Sequence, residues 1–286
     1  MSYKSLVFIF LMVMLSGCAS TSQSTAPTSA LPNGKKVNIS NVTNKHNIFP
    51  EHSYPIGNSG FQLVQSEGGS IFLGPLLGSM NIAKNSKEAA QSFQNSNIIS
   101  PYELTKKTLL SNNFSLNYDS SLTITPFIFL QKGDDGFFRF SLVHHVEDSK
   151  SKWVGRYTYH LDKVIKIDDF PSGINNSDFE ESFQLASQKL VDIMNLDFSR
   201  QLPSEGKKYY LGSLHLVGTK MGGLGIYTQP EEIYFQDAKL IQETNTEVIV
   251  RMNGNYNLVQ FLGGLTFGVH YFKKSSLHKF EIMKKS

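Results

Sequence analysis

Apolar and polar positions change their period several times along the chain, and each change predicts an element. Phe179, Phe183, Ala186, Leu190 and Ile193 recur at helical spacing and predict one apolar helix face ending near Met194. Ser177 with Glu180 three residues on reads as its capping box, in which two orphan N–H groups are satisfied reciprocally. Ser100-Pro101-Tyr102-Glu103 repeats that signal with proline at the first helical position and predicts a helix to about Asn112. Asn85 with Glu88 predicts a shorter helix carrying Ala89 and Phe93. Between the two capped helices the period falls to two. Leu122 and Ile124 alternate with Thr123 and Thr125, and Pro126 predicts an edge or a bulge because it cannot donate to a ladder. After the turn Gly133-Asp134-Asp135-Gly136, Phe137 to Val146 returns as a strand. In the next strand Trp153, Gly155, Tyr157, Tyr159 and Leu161 share one face, opposite Val154, Arg156, Thr158 and His160.

Short strands are also predicted at Val37 to Val42, Phe61 to Val64 and Ser70 to Leu73. Beyond Leu202-Pro203-Ser204-Glu205-Gly206 nearly every apolar run reads as strand: Tyr209 to Val217, Ile233 to Gln242, Glu247 to Met252 and Leu258 to Phe272. Pro230-Glu231-Glu232 would also start a helix over Ile233 to Gln242. The strand is preferred because Gln242 to Glu247 then closes a hairpin onto Val248-Ile249-Val250. The fold class predicted is α+β: an antiparallel sheet with helices on one side over 37–200, followed by a β-rich region over 201–286.

The first eighteen positions follow another pattern. Lys4 precedes an unbroken apolar run from Leu6 to Leu15, which ends in Leu15-Ser16-Gly17-Cys18. The run is about half of the ~20 residues that span a bilayer, so it reads as a removable secretory address rather than a lasting membrane helix. It resembles the signal peptide and lipobox of bacterial envelope lipoproteins. That resemblance implies removal of 1–17, acylation of the Cys18 thiol and then of its new α-amine, and a membrane anchor through the acyl chains. Ala19 and Ser20, where an aspartate favours inner-membrane retention, imply by the same resemblance the periplasmic face of the outer membrane. Residues 18–36 run mostly through Ser, Thr, Gln, Ala, Pro and Gly without apolar period, which predicts a flexible tether.

Composition supports these expectations and narrows the chemistry. Cys18 is the sole cysteine, so an exported chain of 286 residues could form no internal disulfide, and the thiol has one evident use. A formal net charge of +3 lacks the basic excess of a nucleic-acid binder. The acidic pairs Asp134-Asp135, Asp168-Asp169, Glu180-Glu181 and Glu231-Glu232 read as turns and caps. His144-His145, with Glu147 and Asp148, lacks the spacing of a zinc helix, and a strand would turn the two imidazoles to opposite faces. No Gly-x-Ser-x-Gly occurs, Ser-x-x-Lys falls in polar turns, and the glycine-rich runs lack a phosphate-binding context. No catalytic set, metal ligand or cofactor is therefore predicted.

Gly218 to Pro230 sets Met221, Leu224, Ile226 and Tyr227 among glycines. Leu224 and Tyr227 are the expected anchors of a partner-binding loop, with a loop folded back over the β region as the alternative. The capped helix, the strand Leu122-Thr123-Ile124-Thr125-Pro126 and the long helix from Phe179 to Met194 together resemble the small α+β domain of penicillin-binding-protein activators and curli-secretion lipoproteins. That resemblance implies a non-enzymatic docking or assembly role toward a protein or cell-wall partner. An envelope hydrolase, whose residues converge only in the fold, is the competing expectation.

Overall fold

The computed structural model describes residues 35–41, 53–65, 74–96, 98–132, 136–203, 208–211, 235–253 and 267–276, together with Pro27 and Phe49. Within them the strands are β1 (Lys36–Ile39), β2 (Tyr54–Pro55), β3 (Phe61–Gln65), β4 (Ser115–Leu116), β5 (Leu122–Lys132), β6 (Phe137–Asp148) and β7 (Trp153–Lys166), followed by β8 (Lys208–Leu211), β9 (Phe235–Glu243), β10 (Glu247–Asn253) and β11 (Phe267–Lys273). The helices are α1 (Gly74–Ser92), α2 (Pro101–Ser111) and α3 (Ser177–Phe198). The strands join in the order β2-β3-β5-β6-β7-β11-β10-β9-β8, with β1 also beside β5 and β4 beside β1.

The fold is mixed α/β, and its sheet is mixed rather than antiparallel. β5, β6 and β7 form the expected antiparallel meander. β1 and β3, however, both lie parallel to β5, and β11 lies parallel to β7. Local hairpin patterning does not reveal these three pairings because each closes over a long stretch of chain. The β7–β11 pairing makes one continuous sheet of strands from either side of residue 200. At that seam Gly268 has φ of +102°, and a Cβ there would run into the Arg156 carbonyl, so the close approach requires glycine.

Pro126 sits inside the sheet, not at an edge or bulge. On the side that its nitrogen faces, β1 ends its pairing at Ile124, where Ser40 N donates to Ile124 O, and β3 begins at Ile128, whose N donates to Gly60 O. Pro126 occupies the gap between the two partners, where no donor is needed.

All three helices pack on one sheet face. Ala90, Leu109, Phe179, Phe183, Leu190, Val191 and Met194 close a core with Leu63, Ile128, Leu130, Phe138, Phe140, Leu142, Tyr157 and Tyr159. α2 is capped at Ser100, which accepts from Glu103 N, but the reciprocal half of the box is not made: the Glu103 carboxylate lies 3.8 Å from Lys106 Nζ instead. α3 is capped one residue early: Asn176 Oδ1 accepts from Phe179 N at 2.9 Å, and Ser177 is the first helical residue. α3 also runs past Met194 to Phe198, while α1 begins well before Asn85. Phe235–Glu243 is a strand, as preferred over a helix. The predicted strand at 70–73 lies outside the described residues. The opposite sheet face carries a second apolar set that includes Val64, Phe127, Phe129, Val143, Val248, Val250 and Phe272.

Candidate functional site

Polar side chains are buried on both faces of the central strands. Period two along β6 and β7 separates them: His144 and Tyr157 face the helices, whereas Ser141, His145, Thr158 and His160 face away. The expected split of the His144-His145 pair is thus observed. His144 Nε2 meets Thr105 Oγ1 of α2 at 2.9 Å, and His145 Nε2 lies 3.3 Å from Glu147 Oε1.

On the helix side Asp197, from the last turn of α3, accepts from the Tyr157 hydroxyl and from Arg251 Nη2 of β10, both at 2.7 Å. Asp197 and Arg251 are 0% and 3% exposed. Burial and the adjoining carboxylate push the Tyr157 phenol well up, so it stays protonated and donates. The cluster clamps α3 to strands of both halves of the sheet. Nearby, Ser187 Oγ donates to Thr108 Oγ1 at 2.9 Å and ties α3 to α2.

On the opposite face a linear relay crosses the seam. Ser141 Oγ lies 2.9 Å from His160 Nδ1, His160 Nε2 lies 3.1 Å from His270 Nδ1, and His270 Nε2 lies 3.1 Å from the Phe267 carbonyl. The terminal carbonyl only accepts, so with both imidazoles neutral the protons have one order. His270 donates from Nε2 to Phe267 O, His160 from Nε2 to His270, and Ser141 from its hydroxyl to His160. Burial pushes His160 well down and His270 down to about 3, which keeps both rings neutral. His160 also stacks nearly parallel on Phe272, with ring centroids 4.4 Å apart.

The relay has the order of a nucleophile, a base and an orienting group. A β-bulge between Arg139 and Ser141 adjoins it. Ser141, His160 and His270 are 4%, 5% and 0% exposed, so no substrate reaches the hydroxyl while this face stays packed. In this state the relay works as a buried polar latch across the β7–β11 seam.

Neither cluster follows from the one-dimensional pattern. His160 and His270 are 110 positions apart and Asp197 and Arg251 are 54 apart, and only the parallel seam unites them. The one local signal is in β7, where Arg156, Thr158 and His160 alternate with an aromatic face. Among the acidic pairs, Asp168-Asp169 and Glu180-Glu181 are exposed in turns and a first helical turn. Asp134-Asp135 and Glu231-Glu232 lie outside the described residues, as do Cys18, Leu224 and Tyr227. Among the described residues no group of three or more His, Cys, Asp or Glu could hold a metal ion.

Comparison with known proteins finds no matching family model, no matching curated protein and no matching solved structure. The functional reading therefore rests on the chain's own residues.

Proposed function

We propose that this chain is a lipid-anchored lipoprotein of the outer membrane, facing the periplasm, with a non-enzymatic docking or assembly role toward an envelope protein or cell-wall partner. One observation carries the reading: the apolar run from Leu6 ends in Leu15-Ser16-Gly17-Cys18, and Cys18 is the chain's sole cysteine. Burial of the polar clusters supports a binding role over chemistry. In this reading Leu224 and Tyr227 anchor the partner, since a few large side chains usually dominate interface energy.

The second reading, an envelope hydrolase, is favoured by the Ser141–His160–His270 relay. A single preparation separates the two. Cells fed a clickable fatty acid should label the wild-type protein, and Cys18→Ala should abolish both label and processing; label that persists in the variant rejects the anchor. The same protein treated with a fluorophosphonate should stay unmodified. Covalent capture at Ser141 would transfer the reading to the hydrolase.

A further inference from the structure

The loops at one end of the sheet carry exposed basic side chains and an exposed aromatic ring. β1 starts there, at Lys36. Ser115 N donates to Lys35 O at 2.6 Å, Ser120 Oγ to Lys36 O at 2.7 Å, and Ser149 N to Ser121 O at 2.9 Å. These bonds gather the start of β1, the loop that carries Tyr118 and the β6–β7 turn at one place. Trp153, which opens β7, packs edge-on against Phe198, so the end of α3 and the following Arg200 also lie here. Lys35, Lys36, Lys150, Lys152 and Arg200 are exposed, and Tyr118 is 86% exposed.

None of the four lysines forms an ion pair among the described residues. Among the described residues four carboxylates share this end, and one of them, Asp197, is buried against Tyr157 and Arg251. Asp119 is exposed, Glu147 adjoins His145, and Asp148 is turned back onto Lys150 N and the Ser151 hydroxyl. The opposite end of the sheet differs. There Lys163, Lys273 and Lys274 are matched by Asp178, Asp162 and Glu243, and the exposed Asp168, Asp169, Glu180 and Glu181 outnumber the exposed Lys166.

We infer that the end formed by Lys35, Lys36, Tyr118, Lys150, Lys152 and Arg200 is a docking face for an anionic lipid surface, and that it seats the domain on the membrane holding its anchor. The inference rests on the proposed acylation of Cys18. Residues 19–34 separate that cysteine from Lys35, so the basic end is where the first strand follows the anchor along the chain. The charge of that end complements phospholipid headgroups, whereas exposed acid predominates at the opposite end. Lysines beside an anionic surface each strengthen attachment about fivefold, and an exposed tyrosine suits the headgroup layer.

The test uses the full-length chain purified from native membranes, in which acylation leaves an introduced cysteine as the sole reactive thiol. Ser149→Cys places a fluorophore in the β6–β7 turn, and Lys166→Cys places it at the far end of β7, about 40 Å away by strand rise. In phosphatidylcholine vesicles containing phosphatidylglycerol, a lipid-borne quencher should quench the label at 149 and spare that at 166. The difference should shrink without phosphatidylglycerol, in high salt, or when Lys35, Lys36, Lys150 and Lys152 are all changed to Glu. Equal quenching at both sites, or quenching at 149 indifferent to lipid charge, overturns the docking face. If Cys18 in the purified chain still reacts with maleimide, the anchor reading fails separately. Co-sedimentation with the same vesicles then decides the face: binding that the four reversals weaken several-hundredfold supports it, and binding they leave unchanged overturns it.

Discussion

His144 and His270 are held neutral where the unfolded chain would gain a proton. Burial lowers each from 6.5 to about 3, so between those values the unfolded state binds more protons than the folded one. Their contribution is complete above pH 6.5 and is lost as pH falls toward 3. The expected slope is about 1.4 kcal/mol per pH unit for each histidine. His144→Gln, which keeps a polar group near Thr105, should flatten the pH dependence of urea-derived stability between pH 5 and 6.5 by about that amount. An unchanged slope would mean that His144 titrates as freely in the folded protein as in the unfolded one. At this scale the separation of His144 from His145 was legible, because a strand alternates its faces. The pairing of His160 with His270 was not, because nothing local to either residue points to the other.

Among the elements, the meander β5–β7 and helices α2 and α3 were legible because their apolar periods and caps lie within a few residues of one another. The helix starts show where such reading loses resolution. Asn175, Asn176 and Ser177 all have cap chemistry, and only the backbone decides: Asn176 is extended, at φ −86° and ψ 157°, with its carboxamide on Phe179 N. Asn176→Ala should therefore cost about 0.5–2 kcal/mol, while Ser177→Ala should cost a few tenths at most. Phe183→Ala, which opens a cavity beneath Phe140, should cost about 3–5 kcal/mol. Chemical denaturation of the three variants checks the order, and a larger loss at Ser177 than at Asn176 would return the cap to Ser177. α1 was read too short because an Asn-to-Glu spacing inside a helix is identical to one at its start.

For the whole molecule, the deciding feature is the parallel β7–β11 seam, which joins strands on either side of residue 200 and was invisible to hairpin logic. Across it run the Tyr159–Tyr271 ring stack, the His160–His270 bond and the Asp197 clamp on Arg251. A seam so cross-linked should couple the two parts into one unfolding unit. Trp153 is the only tryptophan, and it packs on Phe198 beside Asp197, so its fluorescence reads the clamp directly. Asp197→Ala strands the Arg251 guanidinium in the core and should cost about 3–5 kcal/mol. Asp197→Leu combined with Arg251→Met removes both charges and should cost less than that single change, since desolvating a buried pair offsets much of its attraction. In the wild-type protein, Trp153 fluorescence and far-ultraviolet circular dichroism should trace the same denaturation curve. Two separated transitions, or a double variant as unstable as the sum of its single changes, would show that the strands after residue 200 fold as an independent unit and that the clamp does not couple them.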